Sequence, residues 1–306
     1  MPTPTDPARH RPAAAAPVEV SALLSEATGL LVRAGVDSPR VDAELLLAHV
    51  LSVGRGDLLV AAAVPPGAVR RYRDLIRLRA ERTPLQHLTG RIGFRQVELE
   101  VGPGVFVPRP ETESMAGWVI DALRADGAGP AVLLELGLGS GAISAAVLDE
   151  VPAVTVFGVE LDEPAFDYAE RNLASWIAAG RARLALADMA EALTVWPELA
   201  GRCDVVVSNP PYIPLDAYES VAPEARDHDP ALALWSGADG LAATRVVAAV
   251  AGAALRPGGW VASEHAEVQA ESAPAVFSST GQFDLIRDQP DLTGRPRFVT
   301  ARRSRR

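Results

Sequence analysis

The sequence predicts an α/β protein: a mostly parallel sheet covered by helices on both faces, preceded by a small all-helical domain and a β-hairpin linker. Three observations carry this reading. From about residue 111 onward, short apolar runs alternate with helical stretches, the pattern of repeated βα units. Before residue 84, apolar residues recur at spacings of three and four. Between the two parts they recur mainly at every second position.

Residues 1–17 are Pro/Ala-rich and aperiodic, the composition of a disordered tail. Residues 18–83 form the helical domain. Leu23, Leu24, Ala27, Leu30 and Leu31 make the first stripe, which Gly35 ends. Ser38-Pro39 reads as an N-cap followed by proline at the first helical position. Val41, Leu45, Leu46, Ala48 and Val50 give the second stripe, and His49 on that face reads as a packed histidine. Pro65-Pro66-Gly67 breaks the chain before a third helix, Ala68 to Arg82, with Tyr72, Leu75, Ile76 and Leu78 inward. Its arginines, Arg70, Arg71, Arg73, Arg77, Arg79 and Arg82, read as a solvated face ahead of a docking surface.

Residues 84–110 form the hairpin linker. Phe94, Val97, Leu99, Val101, Val105 and Val107 alternate, with Gly102-Pro103-Gly104 between them. Residues 111–306 form the sheet domain. Strands are expected over 131–136, 155–160, 183–187 and 204–208. A fifth covers 260–264 after the Pro257-Gly258-Gly259 turn, and 298–301 is a last edge strand. Ligands of such sheets bind at the carboxyl ends of the strands.

Composition excludes several classes. Among 306 residues, 48% are hydrophobic and 22% charged, which is ordinary for a globular protein and excludes fibrous or disordered chains. A single cysteine, Cys203, excludes an internal disulfide and a cysteine-rich zinc cluster, and fits a reducing, cytoplasmic setting. The histidines (His10, His49, His87, His228, His265) are scattered, so no metal is expected. No apolar run approaches the roughly 20 residues that span a bilayer, and no basic segment leads into an apolar core at the start. The formal charge of −10 argues against stable nucleic-acid binding.

Three segments carry chemistry. Glu135-Leu136-Gly137-Leu138-Gly139-Ser140-Gly141 follows the first apolar run and opens a helix. Glycines let backbone approach a ligand, and a helix N-terminus offers N–H donors. The Gly-x-Gly-x-Gly spacing is shorter than that of dinucleotide turns, and a plain tight turn remains an alternative. Glu160 ends the second run, where a carboxylate can accept both ribose hydroxyls, or merely cap the next helix. Together they favour an adenosine-type cofactor. With no P-loop and no long-spaced phosphate turn, S-adenosylmethionine is preferred to NAD or ATP. Third, Ser208-Asn209-Pro210-Pro211-Tyr212 follows an apolar strand. The prolines stiffen the turn and have no N–H. The Asn209 side-chain carbonyl and the Pro210 carbonyl are two acceptors that match a planar –NH2 group, and Tyr212 adds a flat face. The fitting reaction is methyl transfer to a planar nitrogen, with Asn209, Pro210 and Tyr212 as the catalytic set. Positioning supplies much of the rate, because an amide lone pair is delocalised and the donor is already activated.

The Asn-Pro-Pro-Tyr turn after a glycine-rich turn is shared by DNA adenine and protein glutamine methyltransferases. Other segments are more specific. Thr83-Pro84-Leu85-Gln86-His87-Leu88-Thr89-Gly90, Val107-Pro108-Arg109-Pro110-Glu111-Thr112-Glu113 and Asp291-Leu292-Thr293-Gly294-Arg295 resemble segments of the release factor glutamine methyltransferases, the HemK/PrmC family. Ser38 to Leu46 resembles that family's helical domain. The likeness runs from about residue 20 to 300.

This resemblance implies a Rossmann-like class I S-adenosylmethionine-dependent methyltransferase domain. It implies N5-methylation of the glutamine in the Gly-Gly-Gln motif of class I peptide chain release factors. The chain is expected to act as a monomer. Gly137, Gly139 and Gly141 would wrap the methionine part of the cofactor, with Glu135, Leu138, Ser140 and Asn209 beside them. Glu160 would take the ribose, and Asp188 and Met189 would lie near the adenine. Asn209, Pro210, Pro211 and Tyr212 would hold the glutamine, Arg109 and Pro110 would line the entrance, and the helical domain would grip the factor. The sequence departs from the family at Glu135 and Leu138 (usually Asp and Thr), at Met189, at His228-Asp229-Pro230 and at Glu264-His265-Ala266. The alternatives are a ribosomal-protein glutamine or a small-molecule amide or amine as acceptor. DNA adenine methylation and a non-catalytic binding module fit less well, the first for want of a basic face, the second because Asn209 and Tyr212 are intact.

Overall fold

The computed structural model describes residues 17–60, 63–125, 127 and 129–305. The expected N-terminal tail therefore lies almost wholly outside the described residues. The chain divides into two compact units, Met1–Thr89 and Gly90–Arg306.

The first unit comprises β1 (Val18–Glu19), α1 (Val20–Arg33), α2 (Pro39–Leu51), β2 (Ala63–Val64), α3 (Pro66–Ala80) and α4 (Leu85–Thr89). Leu23, Leu31, Leu46, Leu47 and Tyr72 fill its core. β1 pairs antiparallel with β2, so the domain is not purely helical. Ser38 stands at the N-cap of α2 with Pro39 after it, but its side chain makes no capping bond. Two inward assignments fail. Leu78 is exposed, because Tyr72, Ile76 and Arg79 form the buried face of α3. His49 is exposed on α2 rather than packed. Arg79 is buried because its Nε donates to Asp42 Oδ2 at 2.7 Å, and the two side chains are only 8% and 11% exposed. Of the outer arginines, Arg73 pairs with Glu26 and Arg77 with Asp74.

The second unit opens with β3 (Arg91–Phe94) and β4 (Val97–Glu100). Their turn is Arg95-Gln96, not the glycine-rich segment after it; Arg95 takes a φ of 51°. The reason is tertiary. The Arg95 guanidinium forks onto Glu150 at 2.7 and 3.1 Å, and its backbone N–H donates to Glu113 at 3.2 Å. The hairpin is part of this unit rather than a free linker. Phe94 and Leu99 lie in the unit's core, and Asn172 binds both the N–H and the carbonyl of Glu100.

The chain continues through α5 (Thr112–Ala125), β5 (Ala131–Leu136), α6 (Ala142–Glu150), β6 (Val154–Glu160), α7 (Glu163–Ala178), β7 (Ala182–Leu186), α8 (Ala192–Val195) and β8 (Cys203–Ser208). It ends with α9 (Pro223–His228), α10 (Ala242–Ala254), β9 (Leu255–Glu264), α11 (Ser272–Ser279), β10 (Phe283–Pro290) and β11 (Pro296–Arg303). The sheet order is β10-β11-β9-β8-β5-β6-β7. The five strands from β9 to β7 are parallel, while β10 and β11 are antiparallel additions. The segment read as an edge strand, 298–301, is therefore internal, and the edge is β10. Its sequence, Phe-Asp-Leu-Ile-Arg-Asp-Gln-Pro, lacks the apolar run of a buried strand because it buries little of either face.

Alternation along β5 sorts the two cores. Leu133 packs with α5 and α6, whereas Leu134 and Leu136 pack with α10 and α11. β5 has β6 on one side and β8 on the other. Chain direction across the sheet reverses there, which opens a crevice at the carboxyl ends of β5 and β8. Among the described residues, no helix is long and apolar enough to cross a membrane.

Breaking the buried pair in the first unit strands a charge. Asp42→Ala is expected to lower stability by about 3–5 kcal/mol, read from the urea midpoint of unfolding.

Candidate active site

The turn after β5 is tied to β6. The N–H groups of Gly137 and Leu138 both donate to the Val159 carbonyl, at 2.9 and 3.1 Å. Gly139 has a φ of 54°, and a side chain there would project into open space. That space is a cavity of about 410 Å³ at the carboxyl ends of the strands. Glu135, Gly137, Leu138, Gly139, Ser140, Glu160, Asp188 and Met189 all line it. Gly141 does not. It caps α6 with a φ of 78°, and a Cβ on it would approach Leu173 to 3.1 Å, so its need for glycine is local.

Glu160 is held by three backbone donors. Its Oε2 accepts from Gly139 at 2.8 Å, and its Oε1 from Leu161 and Asp162 at 2.8 and 2.9 Å. The carboxylate thus faces the cavity in a fixed orientation with lone pairs to spare. Asp188 stabilises the turn after β7 by accepting from Ala190 N–H at 2.8 Å. Glu135 lies on the same face of β5 as α6 and is buried. It accepts from both the N–H and the hydroxyl of Ser144. Burial pushes its carboxyl up to about 8, against the pull of the Ser144 bonds, and the nearby Glu160 charge adds to the rise.

The end of β8 meets the end of β5 directly: Ser208 Oγ donates to the Leu136 carbonyl at 2.6 Å. Asn209, Pro210, Pro211 and Tyr212 therefore line the same cavity as the glycine turn. Asn209 Nδ2 donates to Thr112 Oγ1 at 3.3 Å, and Thr112 Oγ1 donates to Glu264 Oε2 at 2.8 Å. Tyr212 Oη donates to Glu264 Oε1 at 3.3 Å, and the Tyr212 carbonyl accepts from Gln269 at 3.0 Å. Burial and the Glu264 charge push the Tyr212 phenol far above its ordinary value, so it is a neutral donor. Burial raises Glu264 to about 7, opposed by Thr112 and by the Arg297 charge.

Arg109 pairs with Asp229 at 2.6 Å and lies 4.8 Å from the Phe106 ring centre. Both Phe106 and Arg109 line the cavity, but Pro110 does not and is exposed. Burial outweighs the Arg109 charge at Asp229 and raises its carboxyl to about 6. The pair joins the stretch before α5 to the loop after α9. The sequence reading missed Thr112, Phe106, Leu161 and Trp235 as lining residues. Thr112 alone had a signal, being inside the Val107–Glu113 segment. Among the described residues, no group of three or more His, Cys, Asp or Glu side chains is placed to hold a metal ion.

Comparison with known proteins follows the same division. Residues 22–90 match the family model of the PrmC N-terminal domain, and residues 99–222 match the methyltransferase small domain. The chain is 49% identical over 92% of its length to the release factor glutamine methyltransferase of Streptomyces coelicolor, covering 97% of that protein. It is 44% identical to the same-named protein of Mycolicibacterium smegmatis, over 92% of this chain and 96% of the other. It is also 39% identical to the 4-amino-L-phenylalanine/4-methylamino-L-phenylalanine methyltransferase of Streptomyces pristinaespiralis, over 90% and 93%.

Glu135 binds a proton in the folded state where the unfolded chain, near 4.5, has lost it. Its contribution to stability is full below that value and is lost as pH rises through about 8. Glu135→Gln is expected to flatten the decline of the urea midpoint between pH 4.5 and 8. A decline as steep as in the unaltered protein would assign it to Glu264 and Asp229 alone.

Proposed function

Because this chain belongs to the release factor glutamine methyltransferase family, we propose that it methylates the side-chain nitrogen of the glutamine in the Gly-Gly-Gln motif of class I peptide chain release factors. The methyl donor is S-adenosylmethionine. The observation that carries the reading is one cavity with a fixed carboxylate at the end of β6 and the Asn209-Pro210-Pro211-Tyr212 turn at the end of β8.

The residues present fit the donor. A Cβ at Gly137 or Gly139 would stand in open space, so the backbone is bare where a ligand must approach closely. The spare lone pairs of Glu160 suit two vicinal hydroxyls. Met189 and Leu161 offer an apolar surface for a flat base. When bound, S-adenosylmethionine supplies a methyl carbon already activated by a sulfonium.

The chain's own residues then act on the acceptor. Asn209 Oδ1 and the Pro210 carbonyl accept the two N–H bonds of the glutamine amide. Holding both bonds turns the nitrogen lone pair toward the methyl carbon, and the acceptors stabilise positive charge as it grows on nitrogen. Tyr212 presents its ring and, being neutral, removes no proton. In the transfer the new C–N bond would replace the methyl carbon's bond to sulfur, the thioether would leave, and the N–H proton would pass to water. Arg109, held by Asp229, bounds the entrance, and the helical unit supplies the grip on the factor.

The test is mass spectrometry of unmethylated release factor after incubation with the protein and S-adenosylmethionine. A single methyl on the Gly-Gly-Gln glutamine is the expected result. An unmodified factor with methylation of an aromatic amine would favour a small-molecule acceptor, the second reading that the 39% identical relative suggests. Asn209→Ala is expected to lower turnover by about 10²-fold while leaving donor affinity, measured by calorimetry, largely intact. Gly139→Val is expected to abolish donor binding in the same measurement, from both the filled space and the positive φ.

A further inference from the structure

We propose that Thr112 and Glu264 are positioning residues that hold the Asn209 carboxamide with its oxygen turned toward the acceptor nitrogen. This deepens the reading above and rests on it. It identifies what stands behind the amide clamp.

A threonine hydroxyl carries one hydrogen. That of Thr112 is committed to Glu264 Oε2, 2.8 Å away in the buried interior. Toward Asn209 the hydroxyl therefore shows only a lone pair, and Asn209 Nδ2 donates to it at 3.3 Å. A carboxamide is planar, so anchoring the nitrogen on Thr112 leaves the oxygen on the other side. Turned end for end, the same side chain would set N–H against the N–H bonds of the bound amide. Asparagine has no intrinsic preference between these orientations, and the Thr112 hydroxyl supplies one.

The direction of the relay is set by Glu264. Tyr212 Oη donates to its other oxygen at 3.3 Å, so each oxygen receives one hydroxyl. Two converging donors favour the carboxylate form. Arg297 provides favourable charge to that form and is itself held by Asp291, its Nε and Nη2 each 3.3 Å from Oδ2. Asp291 also accepts from the Thr293 hydroxyl at 2.6 Å and from the Thr293 N–H at 2.8 Å, which closes the turn between β10 and β11. The segment Asp291 to Arg297, remote in sequence, thus acts on the acceptor through Glu264.

The test uses the full chain with Thr112→Val, Thr112→Ser and Glu264→Gln. Thr112→Val keeps the shape and removes both hydrogen bonds. It is expected to lower kcat/KM for release factor by about 10- to 100-fold, with S-adenosylmethionine affinity unchanged. Affinity for a Gly-Gly-Gln peptide, measured by calorimetry in the presence of S-adenosylhomocysteine, should fall with it. Thr112→Ser restores the hydroxyl and should restore both readouts. Glu264→Gln has only one acceptor oxygen and should lose turnover likewise; it carries the test if Thr112→Val does not fold. Wild-type turnover and peptide affinity in Thr112→Val would overturn the proposal. So would an equal loss in Thr112→Ser, which would mark a packing role. If the unaltered protein binds S-adenosylmethionine yet methylates no release factor, the release-factor reading fails instead, and that result precedes any variant.

Discussion

The pairing of β5 with strands on both sides is the constraint from which the rest of the second unit follows. A parallel strand with two neighbours and helices on both faces is largely screened from water. Its backbone groups are satisfied by β6 and β8, and its side chains must be apolar or internally bonded. Polar chemistry is thereby driven to the carboxyl end, where pairing stops. The Ser208 hydroxyl on the Leu136 carbonyl draws two strand ends together at that point. Two turns far apart in sequence thus become walls of one cavity.

The two buried glutamates of the interior are held by specific partners. Glu135 meets the Ser144 N–H and hydroxyl, and Glu264 meets the Thr112 and Tyr212 hydroxyls. Neither carboxyl forms a close ion pair among the bonds that hold it, so burial raises both above the ordinary carboxylate range. Glu160 sits differently, at the cavity with three backbone N–H donors. One residue type therefore serves as a buried support and as a cavity-facing carboxylate, and the difference is the solvent and donors around it.

The hairpin shows how the wall of the site is braced from outside the sheet. Asn172 on α7 spans the Glu100 backbone and also donates to the Ser140 carbonyl at 2.9 Å. The glycine-rich turn is therefore supported from β6 on one side and from α7 and the hairpin on the other. Glycine permits the backbone path of this turn, and these bonds select it. At the opposite wall, the Arg109–Asp229 pair ties down the loop after α9 in the same manner.

The sequence by itself determined the α/β class, the parallel strands from β5 to β9, and the glycine turn, Glu160 and the Asn209-to-Tyr212 segment that the fold brings to one cavity. These were legible because each is local: a buried parallel strand must be an apolar run, and a tight ligand-facing turn must carry glycine or proline. Tertiary structure alone decided where the hairpin turns, because Arg95 takes positive φ under the hold of Glu150 and Glu113, with no glycine to mark it. It decided that β10 is the edge, since a strand that buries little has no apolar signature. It decided that Gly141 and Pro110 stand off the cavity while Thr112 lines it. The relay from Glu264 to Asn209 joins residues 152 and 97 positions apart in its two bonds, and no periodicity or motif spacing reports a contact made only when β8, β9 and α5 converge.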